Sequence, residues 1–329
     1  MRRVLFRGDA KPSIGTGDLM SLVNLSRYFE NNGWEAFFLI RGYEAGIKIM
    51  EGRGVKNVST IPPDCPLQEE QKAINNIVIK KNIDILFLEI TERKLTDYVL
   101  PAAVKKVCVN FDGIIPDDMD AVINWDVEGT VHFDKKRYPK TRFLLGPQYI
   151  ILPVNFDKGR IAARTYVPKP QNVLIAMGGA DELNFTQRVI NTILEDEPDM
   201  KITVIIGAGY LYKKELETSL SKSENRHVVK QDVSDMFEEY MNCDVAVAAG
   251  GLTSYELIAT ATPAILIATY AHQIERCKYF DHAGWARYLG YRSYERNELR
   301  HLIKNPPPPP NTNMFDTQKI IEAVNELIK

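Results

Sequence analysis

Cysteine is scarce in this chain, and Cys65, Cys108, Cys243 and Cys277 lie far apart with no C-x-x-C spacing. That pattern excludes a zinc knuckle and a disulfide framework and points to a reducing, cytoplasmic compartment. No stretch approaches the ~18 consecutive apolar residues of a membrane span. The basic start Met1-Arg2-Arg3 reaches Asp9 too soon to make a signal peptide, so no integral membrane segment is expected. Charge of one sign is not in excess either: 41 basic and 43 acidic side chains give a net charge of -2, with no basic stripe to track a phosphate backbone. Nucleic acid is therefore not an expected partner. The five histidines show no metal-ligand spacing, and Asp117-Asp118 reads as a solvated turn, so neither a metal nor a cofactor is expected.

What the chain does have is 329 residues and 45% hydrophobic content, enough for two cores. Short apolar runs rich in β-branched residues alternate with stretches of helical period, the pattern of a doubly wound α/β fold with parallel sheets. Strands are expected at 4–7, 35–40, 83–89, 106–110 and 121–124, with helices at 19–31 and 67–81. After Pro168-Lys169-Pro170 the pattern restarts, with strands at 172–176, 201–206, 228–230, 245–248 and 264–267. The expected division is an N-terminal Rossmann-like domain at 1–150, a linker at 151–170 and a C-terminal Rossmann-like domain at 171–305. A polyproline connector and terminal helix follow at 306–329. The run Pro306 to Pro310 can be neither helix nor central strand and should extend over roughly 15 Å at about 3.1 Å per residue. Residues 315–328 should form a helix packed back on the body. Ligands of such folds bind at the carboxyl ends of the strands, so a cleft between the two halves is the expected site.

Three glycine-centred turns follow expected strands. The first, from Arg7 to Asp18, contains Gly8, Gly15 and Gly17 but is neither a Walker A loop nor G-x-G-x-x-G. Asp18 at the helix start is either an N-cap or a carboxylate serving as general base. The second turn, Met177-Gly178-Gly179-Ala180-Asp181 with Asn184 beyond, allows close backbone approach or is a plain tight turn. In the third, Gly250-Gly251-Leu252-Thr253-Ser254-Tyr255-Glu256, the positive start of a helix suits a diphosphate, and Glu256 could accept ribose hydroxyls. The alternative for Thr253 and Glu256 is a capping box, since T-x-x-E is its signature. His272-Gln273 lies on another strand-end loop, where a histidine is either structural or an acid–base group.

Four blocks in order, Arg7-x-Asp9 with Ile14-Gly15-x-Gly17, Leu144-Leu145-Gly146-Pro147-Gln148-Tyr149, Gly178-Gly179-x-Asp181-x-x-Asn184 and Gly250-Gly251-x-Thr253-x-Tyr255-Glu256, give the chain a family likeness over nearly its whole length. It resembles the nucleotide-sugar hydrolases of the pseudaminic acid pathway, which act on UDP-2,4-diacetamido-2,4,6-trideoxy-altropyranose, and the related spore coat polysaccharide biosynthesis family. Through the third block and His272-Gln273 it is also similar, more distantly, to the transferases that add N-acetylglucosamine to lipid-linked muramyl peptide.

The resemblance implies a GT-B fold and a UDP-sugar as substrate. It implies hydrolysis at the anomeric carbon, with transfer to an acceptor or binding without turnover as alternatives. It implies a nucleotide and diphosphate site at Gly178, Gly179, Gly250, Gly251, Thr253, Ser254 and Glu256, and sugar contacts at Arg7, Asp9, Gly17, Tyr149, Asn184 and Gln273. The chain departs from the family at the reacting end: Asp18 stands where the hydrolases have a catalytic histidine, His272 replaces an asparagine, and Glu89-Ile90-Thr91 replaces Asp-x-Tyr. Asp18 and His272 are accordingly expected to share the acid–base work.

Overall fold

The computed structural model describes the chain apart from residues 12–16, 110–111, 128–131, 159–163, 197–198, 208, 222–225, 232, 234 and 311–314. The Ile14-Gly15 part of the first turn and residue 110 of the fourth expected strand lie outside the described residues. The chain divides into two compact units, Met1–Val154 with Met314–Lys329 and Asn155–Asn313.

The first unit holds a parallel sheet built from β1 (Arg3–Arg7), β2 (Glu35–Arg41), β3 (Val58–Ile61), β4 (Ile85–Leu88), β5 (Lys105–Val109), β6 (Ala121–Asn124) and β7 (Arg142–Leu145). Their order is β3-β2-β1-β4-β5-β6-β7, so the winding reverses between β1 and β4. Helices α1 (Gly17–Asn31), α2 (Glu44–Gly52) and α3 (Leu67–Lys81) lie in the connections. Val4, Leu5 and Phe6 of β1 are wholly buried, as a strand covered on both faces requires. Phe6 stands in register with Phe38 of β2 and Phe87 of β4, and the rings stack at 5.1 and 5.2 Å. Phe29 of α1 meets Phe6 and Phe87 edge-on at 5.8 and 5.4 Å. This aromatic ladder fixes α1 on the sheet and carries its first turn toward the end of β1.

The second unit repeats the plan with β8 (Asn172–Ala176), β9 (Lys201–Ile206), β10 (His227–Gln231), β11 (Val245–Ala249), β12 (Ala264–Ala268) and β13 (Arg287–Tyr291). The strands are parallel in the order β10-β9-β8-β11-β12-β13, with the reversal between β8 and β11. Between them run α4 (Phe185–Asp196), α5 (Lys213–Leu220), α6 (Met236–Met241), α7 (Leu252–Ala259) and α8 (Ile274–His282), and α9 (Arg296–Lys304) follows β13. The small alanine and valine side chains of β11 are all buried, which lets helices approach both faces closely.

Strands β3, β7 and β13 were not expected from the sequence. All three are sheet edges: β3 exposes Ser59 and Thr60, β7 exposes Arg142, and β13 begins and ends exposed at Arg287 and Tyr291. Polar edge positions dilute the apolar run that marks the central strands.

Pro306 to Pro310 form neither helix nor strand, as expected. The last helix, α10 (Gln318–Leu327), begins later than the apolar pattern does and belongs to the first unit. Its Ile320, Ile321 and Val324 are wholly buried. The Thr317 hydroxyl just before it accepts from the Leu152 N–H at 3.2 Å and donates to the Ile150 carbonyl at 3.1 Å. Arg2 reaches Asn325 at 3.0 Å. Ile321→Ala is expected to destabilise the first unit by about 2–5 kcal/mol, read from a urea unfolding curve; an unchanged midpoint would mean that α10 is dispensable to that core.

Candidate functional site

In the second unit, the strand ends at the β8/β11 reversal enclose a pocket of about 210 Å³. That is below the range of about 300–1,000 Å³ that holds a whole ligand, and it suits one portion of a nucleotide. Gly178, Gly179, Thr253 and Glu256 line it together, drawn from the second and third glycine turns. The backbone of Gly178 has φ 90°, a conformation that favours glycine, and so turns the chain sharply at the pocket wall.

The first turn of α7 decides between two expectations for Thr253 and Glu256. The N-cap is Gly251, with no side-chain cap, and Thr253 lies inside the helix. The capping-box alternative is therefore wrong, because Thr253 is already helical and cannot close the box from outside. Glu256 accepts a hydrogen bond from the Tyr240 hydroxyl on α6 through Oε2 at 2.7 Å, and among the described residues its Oε1 accepts none. Burial raises the Glu256 carboxyl above its usual range, and the Tyr240 hydrogen bond opposes that rise. Burial and the neighbouring Glu256 also push the wholly buried Tyr240 phenol well up, so it stays a donor.

Other expected binding residues have structural employment. Ser254 is wholly buried and its hydroxyl turns back to the Gly251 carbonyl at 2.6 Å, so it does not face a diphosphate. A β-carbon on Gly250 would lie 2.3 Å from Cys277 Sγ on α8, so this glycine serves helix packing rather than ligand approach. A β-carbon on Gly251 would meet only Gln273 Nε2, at 3.8 Å, which places that amide beside the start of α7. Gln273 is buried, and its Oε1 accepts from the Thr269 N–H and hydroxyl at 2.9 and 3.1 Å. Asn184 receives the Tyr210 hydroxyl at 2.8 Å and donates to Gln187 at 2.7 Å. Asp181, whose carboxyl burial raises, accepts the Phe185 and Thr186 N–H groups at the start of α4. His272 is exposed in a 3-10 turn, its ring stacked on Tyr270 at 5.8 Å.

In the first unit, Arg7 and Asp9 are not the sugar contacts that the family likeness implies. Arg7 is 1% exposed and reaches Glu70 of α3 through Nε at 2.8 Å and Asp9 at 2.7 Å. Glu70, wholly buried, also accepts from Arg41 at 2.6 Å, Arg93 at 3.0 Å and the Tyr98 hydroxyl at 2.9 Å. Asp9 further accepts the Arg41 N–H at 2.7 Å. Charges so buried must be paired, and these pair with one another. Gly17 opens α1 and its carbonyl accepts from Ser21 at 3.1 Å; Tyr149 is half-buried in the 3-10 turn Pro147–Tyr149.

Asp18, in the first turn of α1, has its carboxyl raised by burial. Glu89, one residue past β4, is buried, and neither of its oxygens has a hydrogen-bond partner among the described residues. Sequence reasoning marked Glu89 only as a departure from the family. It passed over Tyr240 and Met236 of α6 and Val233 before it, which also line the unit 2 pocket, because that segment carries no glycine signal.

Residues 172–328 match the glycosyltransferase family 28 C-terminal domain. The chain is 26% identical to an uncharacterized protein of Methanocaldococcus jannaschii over 292 residues, 83% of this chain and 57% of that protein. It is 28% identical to the spore coat polysaccharide biosynthesis protein SpsG of Bacillus subtilis over 176 residues, 52% of this chain and 50% of that one. The chain thus spans about half the length of these curated relatives. Among solved structures, LpCGTa in complex with UDP superimposes with TM-score 0.65 at 13% identity, covering 100% of this chain and 99% of that one. The fold is GT-B, made of two Rossmann-like α/β units with parallel sheets.

The two adjacent glycines before α7 should respond differently to a methyl group. Gly250→Ala is expected to cost about 1–3 kcal/mol through overpacking against Cys277, while Gly251→Ala stays close to wild type in thermal unfolding; equal effects would refute the packing assignment.

Proposed function

We propose that this chain is an enzyme of surface-glycan biosynthesis that displaces the nucleoside diphosphate from the anomeric carbon of a UDP-linked amino or deoxy sugar. The observation that carries this reading is the unit 2 pocket, where Gly178, Gly179, Thr253 and the Tyr240-held Glu256 converge at the reversal of the sheet. The free Oε1 of Glu256 suits ribose hydroxyls. The N–H groups of the first turn of α7, with the Gln273 amide beside them, suit the diphosphate. The UDP held by a structure of the same fold supports a uridine nucleotide. Four buried free thiols fit a reducing, cytoplasmic setting.

Water is the nucleophile of the leading reading. As its oxygen bonds to the anomeric carbon, the bond to the diphosphate oxygen breaks and that oxygen keeps the electron pair. The proton released by water passes to the Asp18 carboxylate, and His272 is the second acid–base candidate. The match to a glycosyltransferase domain favours a second reading, in which an acceptor hydroxyl replaces water and the same bonds form and break.

Incubation with UDP-, GDP- and CDP-sugars without acceptor should release nucleoside diphosphate and free sugar from a UDP-sugar in equal amounts. Asp18→Asn should lower that turnover by about 100- to 10,000-fold. Binding with release only after an acceptor is added would establish the transferase reading, and neither binding nor release would overturn the proposal. Glu256→Ala should weaken UDP binding about tenfold or more in calorimetry; an unchanged Kd would sink the ribose assignment.

A further inference from the structure

Glu89 is the largest unexplained polar group of the first unit. It follows β4, its N–H continues the ladder by donating to the Arg7 carbonyl at 2.9 Å, and its side chain ends 4% exposed with both oxygens unpartnered among the described residues. The β1 turn shows what covers it. A β-carbon on Gly8 would lie 2.5 Å from Leu22 Cδ1 of α1 and 3.5 Å from the Glu89 carbonyl, so α1 packs directly on this step of the chain. Asp18 lies four residues before Leu22 and so shares its helix face. Asp18 and Glu89 are therefore brought to the same reversal of the sheet, and among the described residues no ion pair holds either. Arg7, the nearest guanidinium in sequence, spends its charge on Asp9 and Glu70.

We propose that Glu89 is a buried, uncharged acid that confines the negative charge of this carboxyl pair to Asp18, so that Asp18 alone is the ionised base. This rests on the reading of Asp18 as the proton acceptor given above; Glu89 is a positioning residue and does not touch substrate. The electrostatics agree. Burial, and after it the charge of Asp18, raise the Glu89 carboxyl well above its usual range. A second negative charge in so dry a place has no counter-ion, and one protonated member is the resolution.

The sign of the pH dependence follows. A carboxyl raised in the folded state adds stability that is fully present below its unfolded value of 4.5 and is lost as pH climbs toward the folded value. Burial sets most of that window, and the charge of Asp18 on α1 extends it.

The test is a double-mutant cycle on the full chain, wild type, Glu89→Gln, Asp18→Asn and the double variant, in thermal unfolding between pH 4.5 and 8.5. Glutamine keeps the shape of an uncharged acid and has no proton to lose. Glu89→Gln should therefore match wild type at the acid end and unfold higher by about 2–4 °C at the alkaline end. In the Asp18→Asn background the gain should shrink. A Glu89→Gln that is less stable at alkaline pH, or a gain unaffected by Asp18→Asn, overturns the pair. Turnover supplies the second readout: Glu89→Gln should keep KM and neutral-pH kcat within about threefold and leave the acid limb of kcat, where Asp18 gains its proton, in place, as exchange of one uncharged group for another requires. A tenfold loss of neutral-pH kcat in that variant would refute the positioning role. If no nucleotide sugar is turned over even by wild type, the functional reading fails and the unfolding cycle still decides the pair.

Discussion

A parallel strand buried on both faces has no room for an unpaired polar side chain, and that constraint shapes both units. Val4 to Phe6, Ile85 to Leu88 and the whole of β11 and β12 are buried and apolar, so chemistry can begin only where each strand stops. The first polar positions past those ends are Asp9, Glu89, Gly178 and Gly250 with their neighbours. In each unit they collect at the reversal of winding, where adjacent connections leave on opposite faces and a crevice opens.

The two reversals are furnished differently. Unit 2 offers backbone turns, a helix start, the Asp181 carboxyl taken up by the start of α4 and the Glu256 carboxyl held by a phenol. Unit 1 offers carboxyls. Glu70 and Asp9 are neutralised by Arg7, Arg41 and Arg93, whereas Asp18 and Glu89 are not. The same fold thus carries two different sets of side chains at one topological position.

Much of this was legible in the sequence. The central strands announce themselves because burial on both faces leaves only apolar, often β-branched side chains; residues 172–176 and 201–206 fall where the pattern puts them. Three of the four edge strands were missed because polar positions interrupt their apolar runs, whereas β10 was legible through Val228 and Val229. The glycine turns led to two loops that share a pocket and misled about individual residues. T-x-x-E looks the same whether threonine stands before a helix or within it, and the backbone angles of Gly251 settle which. Arg7-x-Asp9 resembled a sugar-binding pair because sequence cannot show the partner 63 positions away, Glu70, that occupies it. Tyr240 carried no signal, since a tyrosine on a short helix is unremarkable until Glu256 is found beneath its hydroxyl.

The chain order of the units bears on how the protein is made. The last helix completes the core of unit 1, yet all of unit 2, Asn155–Asn313, is translated before it. Domains emerging from the ribosome fold as units, N-terminal parts first. Here unit 1 must wait, with the α10 seat beside Ile150 and Leu152 open, until α10 follows unit 2 out. The second unit is complete earlier, so the nascent chain passes through a stage in which the later-encoded half is folded and the earlier-encoded half is unfinished.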